Sequence, residues 1–270
     1  MSLLEIPAPG SAVRCIYPSV KSLPARLYRP KQLKDDTQVI VAVHGISRQY
    51  DDQLEAFRIL ADKFGCWLVV PEFEKAIFPQ YQKLSKGPFM PRADIALNTL
   101  LIAFRKHVGL PEFKIKLCGY SGGAQFAHRY ALFHPNKIAS LVICSAGWYT
   151  IPNHEDTYPY GLRDIPKWMG KAQLDRMLTL PLMVAVGEQD TVRDKSLRTG
   201  ARVDKAQGMN RLERAHTWFK ELTELKGQLL DVTNSRLCVL PEQGHDFAGS
   251  FFASGLKTCI DQFWSECNRR

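Results

Sequence analysis

The sequence has no run of the roughly 18–20 apolar residues that a membrane-spanning helix needs, so no membrane span is expected. It also lacks a CxxC pair, an internal repeat, a low-complexity tract and a Gly/Ser linker. The opening stretch, MSLLEIPAPGSAVRCIYP, carries neither a basic n-region nor a long apolar h-region before its prolines. No secretory signal or transit peptide is read there, and a cytoplasmic location is expected. Cysteine is present seven times, at 15, 66, 118, 144, 238, 259 and 267. The number is odd, and Cys15, Cys66, Cys118, Cys144 and Cys238 fall in apolar, strand-like stretches. That pattern indicates free, buried thiols in a reducing compartment, with no disulfide framework and no zinc-ligand spacing. What the chain does have is an ordinary globular composition, 45% hydrophobic and 23% charged over 270 residues. This is enough to bury a sizeable core and excludes disordered, collagen-like and disulfide-stapled classes.

The formal net charge is +9, which raises the question of nucleic-acid binding. The densest basic stretch holds Arg193, Lys195, Arg198, Arg202, Lys205, Arg211 and Arg214, but Asp194, Asp204 and Glu213 interrupt it. No zinc-finger, aromatic RNA-binding or basic-zipper pattern accompanies it. A solvated helical face is the expectation, attraction for acidic substrates or surfaces the alternative, and no nucleic-acid partner is expected.

Short apolar runs rich in β-branched residues occur at 12–17, 38–43, 66–71, 114–118, 138–144, 181–186 and 236–240. Their apolarity is nearly continuous, the pattern of strands buried on both faces of a parallel sheet. Helical patterns lie between them at about 52–64, 92–108, 122–134, 203–229 and 246–266. In the second, Ile95, Leu97, Leu100, Leu101 and Phe104 fall at helical spacing. The regular alternation predicts an α/β protein with a mostly parallel sheet. The segments 12–17 and 23–29 have only a Pro/Ser turn between them and predict an antiparallel hairpin at the sheet edge. Residues 147–180, rich in Pro and aromatics, break the rhythm, and their position after one strand and before the next predicts a cap-like insertion in a single domain.

The chemistry is most legible at Gly119-Tyr120-Ser121-Gly122-Gly123, a G-x-S-x-G motif between the strand KIKLC and the helix GGAQFAHRYALF. A serine there sits on a sharp turn that its flanking glycines make possible, with its hydroxyl above the sheet at a helix N-terminus. Such a hydroxyl needs a base. Among seven histidines, His245, which follows the last apolar strand into a loop at the sheet's C-terminal edge in VLPEQGHDF, is the first candidate, and His44 the lesser one. The base in turn needs a carboxylate. Asp190, in Gly187-Glu188-Gln189-Asp190 just past the strand PLMVAV, is the first candidate and Glu188 the second. An oxyanion hole takes two backbone N–H groups. Gly122 supplies one, and Ile46, in the loop His44-Gly45-Ile46-Ser47, is the candidate for the other, with His44 propping that loop. Aromatics of the motif and the insertion, Tyr120, Trp148, Tyr149 and Trp168, are candidates to line a substrate pocket.

With HGIS at 44–47, GYSGG at 119–123, GEQD at 187–190 and GHDF at 244–247, the chain resembles the α/β-hydrolase fold family over nearly its whole length. Within the family it looks most like small serine esterases and poly(3-hydroxybutyrate)-depolymerase-like hydrolases. The resemblance implies an α/β-hydrolase fold and cleavage of a small-molecule carboxylic ester through an acyl-enzyme on Ser121, with no cofactor and no metal. A thioesterase or a peptidase/amidase could use the same triad, and a non-catalytic ligand-binding relative is the alternative from another class.

Overall fold

The computed structural model describes residues 5–20, 22–34, 37–84, 91–165, 171–227 and 235–269. Each apolar run becomes a strand: β1 (Ala12–Cys15), β2 (Ala25–Tyr28), β3 (Gln38–Val43), β4 (Trp67–Pro71), β5 (Lys114–Tyr120), β6 (Ile138–Cys144), β7 (Leu182–Gly187) and β8 (Ser235–Leu240). They form one eight-stranded sheet in the order β1-β2-β4-β3-β5-β6-β7-β8. The pairs β1–β2 and β2–β4 are antiparallel, and the remaining pairs are parallel. The N-terminal hairpin is thus an edge addition to a parallel sheet.

The near-continuous apolarity of the strands has a simple consequence. Successive side chains point to opposite faces, so both faces must be covered. On one side, Val39, Val41 and Val43 of β3, Leu117 of β5 and Val184 of β7 join a single cluster. On the other, Ile40, Ala42, Cys118 and Met183 join a second. The first face is covered by α2 (Ala93–Val108), α3 (Gly122–Phe133) and α6 (Arg211–Gly227), through Leu97, Leu100, Phe126, Trp218 and Leu222. The second is covered by α1 (Tyr50–Phe64) and α7 (Leu256–Cys267), through Leu54, Phe57, Leu60, Ile260 and Trp264. Each fully buried side chain of this kind contributes about 1.5–3 kcal/mol.

Three expectations are corrected. The helical pattern at 203–229 is two helices, α5 (Ala201–Gln207) and α6, because Gly208 takes φ 116° and ψ 171°, ending the first. The pattern at 246–266 is broken by one π-turn, Gly249–Ala253, and by Gly255 at φ 88° ahead of α7. The basic stretch is not wholly a solvated face, since Arg211 and Arg214 are completely buried. Arg214 donates to the carbonyls of Gly147, Arg198 and Gly208 at 2.5, 2.7 and 2.8 Å, and pairs with Asp204 at 2.6 Å. Irregular backbone leaves carbonyls with no ladder partner, and a five-donor guanidinium satisfies several at once.

None of the seven cysteines forms a disulfide, and Cys15, Cys66, Cys118 and Cys144 are buried. None of the described helices is long and apolar enough to cross a membrane. Within the insertion, the helix α4 (Lys171–Leu178) precedes β7.

Candidate active site

The parallel strands end along one edge, and the loops that leave this edge meet. Ser121 lies between β5 and α3 with φ 53° and ψ −112°, a strained position for a residue with a side chain. The turn packs directly on β3: a Cβ on Gly123 would lie 2.0 Å from the carbonyl oxygen of Val43, so that position must be glycine. The Ser121 N–H is held by the Cys144 carbonyl of β6 at 2.8 Å. The loops after β7 and β8 are pressed together in the same way. A Cβ on Gly187 would lie 2.1 Å from the Gln243 carbonyl oxygen, and the Gln189 N–H donates to that carbonyl at 2.8 Å.

These constraints bring three side chains of the sequence reading into one line. The hydroxyl of Ser121 lies 3.1 Å from His245 Nε2, and His245 Nδ1 lies 2.8 Å from Asp190 Oδ2. With Nδ1–H donating to the carboxylate, Nε2 is free to accept the serine proton. The Asp190 side chain is fully buried and that of His245 is 18% exposed. Tyr120 stacks on the His245 ring, with centroids 5.3 Å apart and 27° between planes. Glu188, the other carboxylate of its motif, is exposed and accepts the Glu242 N–H at 3.0 Å.

The loop after β3 faces the elbow. A Cβ on Gly122 would meet Ile46 N at 3.2 Å, so the amides of Ile46 and Gly122 border the same small space beside Ser121. His44 is buried beneath that loop. Its Nδ1–H donates to Gly45 O at 2.7 Å and its Nε2 accepts the Phe73 N–H at 3.2 Å. Burial lowers its pKa to about 4, so the ring stays neutral and keeps this tautomer. His128 is pinned in the same fashion, between Ala124 O and the Thr150 N–H, each at 3.0 Å, and burial holds it well below the usual histidine range. Arg48 was not found from the sequence. It donates to Ile46 O at 2.8 Å, Phe73 O at 2.7 Å and Phe78 O at 3.2 Å, fixing the loop from the side.

The cavity above Ser121 measures about 170 Å³ and is lined by Gly45, Ile46, Gln53, Tyr120, Ser196, His245 and Phe247 among others. Of the expected pocket aromatics, Tyr120 lines it. Trp148 and Tyr149 do not: Trp148 lies under the Arg129 guanidinium at 4.2 Å, and Tyr149 stacks on Trp218 with centroids 4.8 Å apart. Both rings are buried, because residues 147–165, which form no helix or named strand, reach stability by packing their aromatics onto the body. Trp168 lies outside the described residues. Gln49, Gln53, Ser196 and Phe247 were not anticipated, since no local motif marks residues that converge only through loops. A larger groove, about 790 Å³, lies at the opposite end of the strands between Gln38, Leu101, Arg105, Phe113, Lys114 and Lys137. No Ser, Cys or His lines it, so chemistry and not size selects the smaller cavity. No cluster of three or more metal-ligating side chains occurs among the described residues.

Sheet order, edge hairpin and strand–serine–helix turn together define the α/β-hydrolase fold. Solved structures of that fold match the chain throughout. A poly(aspartic acid) hydrolase from Sphingomonas sp. KT-1 is 26% identical, with a TM-score of 0.78 over 92% of this chain and 99% of that one. A poly(3-hydroxybutyrate) depolymerase from Bordetella parapertussis is 23% identical, with a TM-score of 0.77 over 96% of this chain and 94% of that one. An S-formylglutathione hydrolase from Agrobacterium tumefaciens is 15% identical, with a TM-score of 0.55 over 94% of each chain. No protein-family model and no curated protein matches the sequence.

Proposed function

We propose that the chain is a serine hydrolase that cleaves small carboxylic esters. The observation that carries this reading is the continuous hydrogen-bonded line from Asp190 through His245 to Ser121, at 2.8 and 3.1 Å, beside the Ile46 and Gly122 amides. Ser121 attacks the acyl carbon while His245 takes its proton. The carbonyl oxygen becomes an oxyanion, and the Ile46 and Gly122 N–H groups donate to it. His245 then returns the proton to the leaving alcohol, and water releases the acyl group by the same steps. Asp190 holds the ring in the tautomer that leaves Nε2 facing the serine. The cavity of about 170 Å³ suits a short acyl group. The insertion at 147–180 belongs to the same single domain in this reading.

The test is covalent labelling by a fluorophosphonate probe, expected at Ser121, followed by turnover on p-nitrophenyl esters, thioesters and amino-acid anilides. A second reading, amide cleavage, draws support from the similarity to the poly(aspartic acid) hydrolase. Anilide turnover exceeding ester turnover would favour it, and absence of labelling would remove both.

A further inference from the structure

We propose that Arg211 is a positioning residue for this triad, acting through Asp190 to set the charge seen by His245. The proposal rests on the catalytic reading above. Asp190 uses Oδ2 for His245, and its other oxygen, Oδ1, faces Arg211 Nη1 at 3.4 Å. At that length the contact is an ion pair more than a tight hydrogen bond. Both side chains are fully buried, so water screens the contact little. Arg211 is in turn held from the far side. It donates to Asp194 at 3.2 and 3.3 Å and to Ser196 Oγ at 2.5 Å, and Ser196 lines the catalytic cavity.

The charges explain why a cation is needed here. Two carboxylates, Asp190 and Asp194, lie on one guanidinium, which leaves one net negative charge behind the imidazole. One negative charge is what a transient imidazolium requires. Without Arg211, two neighbouring carboxylates would face the imidazole with no cation to offset them, and Asp190 Oδ1 would lose the partner that orients the carboxylate against the ring. Burial raises the Asp194 carboxyl, but the hydrogen bonds from Ser196 and Arg211 outweigh it and hold the group below its ordinary range. The other titratable groups around Asp190 do not replace the cation. Tyr120, Tyr149 and Cys144 are pushed up by burial and stay neutral near pH 7. Asp246, next to His245 in the chain, accepts the Gly249 N–H at 2.6 Å.

The experiment compares pH–rate profiles of kcat/KM on p-nitrophenyl butyrate for the native chain, Arg211→Met, Arg211→Lys and Asp194→Asn, with a melting curve for each. Arg211→Met is expected to lower kcat by about 10- to 100-fold, less than the roughly 10²- to 10⁴-fold that the positioned base itself contributes. It should also move the acid limb upward by roughly half a pH unit, because removing the cation favours a charged imidazole. Asp194→Asn should move that limb downward, and Arg211→Lys should restore most of the native profile. A role confined to packing predicts shifts in Tm but none in the profiles. Should Arg211→Met fail to fold, the direction of the Asp194→Asn shift decides alone. Native protein labelled at Ser121, with profiles unmoved in both variants, would overturn the role of Arg211. Native protein left unlabelled would overturn the catalytic reading instead.

Discussion

Two histidine–aspartate pairs in this molecule have the same length and different surroundings. His245 and Asp190 meet at 2.8 Å with the aspartate side chain fully buried, and so do His134 and Asp94. The difference lies in what the second ring nitrogen and the third group provide. His245 gives Nδ1 to its acid and keeps Nε2 for Ser121. His134 gives Nε2 to Asp94, whose carboxylate also takes Arg92 at 2.6 Å. His134 is at the C-terminal end of α3, the far end from the elbow, where it ties that helix to the start of α2. A histidine on a buried carboxylate is therefore no mark of catalysis by itself. Placement at the C-terminal edge of the strands, with a nucleophile on the other nitrogen, separates the pair proposed to be chemical from the structural one.

Breaking the first pair's line at the nucleophile has the largest expected effect. Ser121→Ala should lower ester turnover by on the order of 10⁶-fold, while its melting temperature stays close to the native value because alanine keeps the same Cβ on the same strained turn. Steady-state turnover beside calorimetry measures both. Asp190→Asn comes next, at roughly 10⁴-fold in kcat, and should exceed Glu188→Gln by a wide margin. The reverse ranking on the same ester would move the acid to Glu188.

Trp148→Ala sharpens the boundary between site and scaffold. The ring lies under Arg129 and against Tyr160, centroids 4.9 Å apart. Its loss should destabilise the fold by about 3 kcal/mol and leave the ranking of acyl lengths unchanged. A changed ranking would return Trp148 to the pocket. The smallest effect belongs to the structural pair. Asp94→Asn should leave kcat intact and lower stability by about 2 kcal/mol, the scale of hydrogen bonds to a charged group, since asparagine keeps the shape and one acceptor oxygen. Burial raises the Asp94 carboxyl, but His134 and Arg92 outweigh it, so the folded value is depressed. Its stabilisation is therefore fully present above the unfolded value, about pH 4, and fades as pH falls through the folded value. Chemical denaturation from pH 7 to pH 3 should show the native-to-variant gap narrowing below about pH 4.

The parts of this molecule that were legible in the sequence share a physical cause. Strands buried on both faces must be continuously apolar, so β3 through β7 announce themselves. A serine between glycines after such a strand can only be on a sharp turn. Loops carrying Asp190 and His245 could be placed at one sheet edge because parallel strands end there together. Where the reading failed, the local pattern was ambiguous. Residues 203–229 keep helical composition across a break that one glycine conformation makes at Gly208. Arg211 and Arg214 look like any solvated arginines until Asp190, Asp194, Asp204 and the bare carbonyls of Gly147 and Arg198 are folded around them.

Strand identity, parallel direction, edge hairpin and the order serine, aspartate, histidine were determined by sequence alone, since each depends on neighbours within a few residues. The tertiary structure decided the rest: that Asp190 and His245 close on Ser121 at 2.8 and 3.1 Å, that Trp148 faces the body and not the cavity, and that a buried guanidinium stands behind the acid. Those outcomes depend on which distant segments approach. Here the approach is set by contacts such as Gly187 against Gln243 and Gly123 against Val43, where no side chain fits.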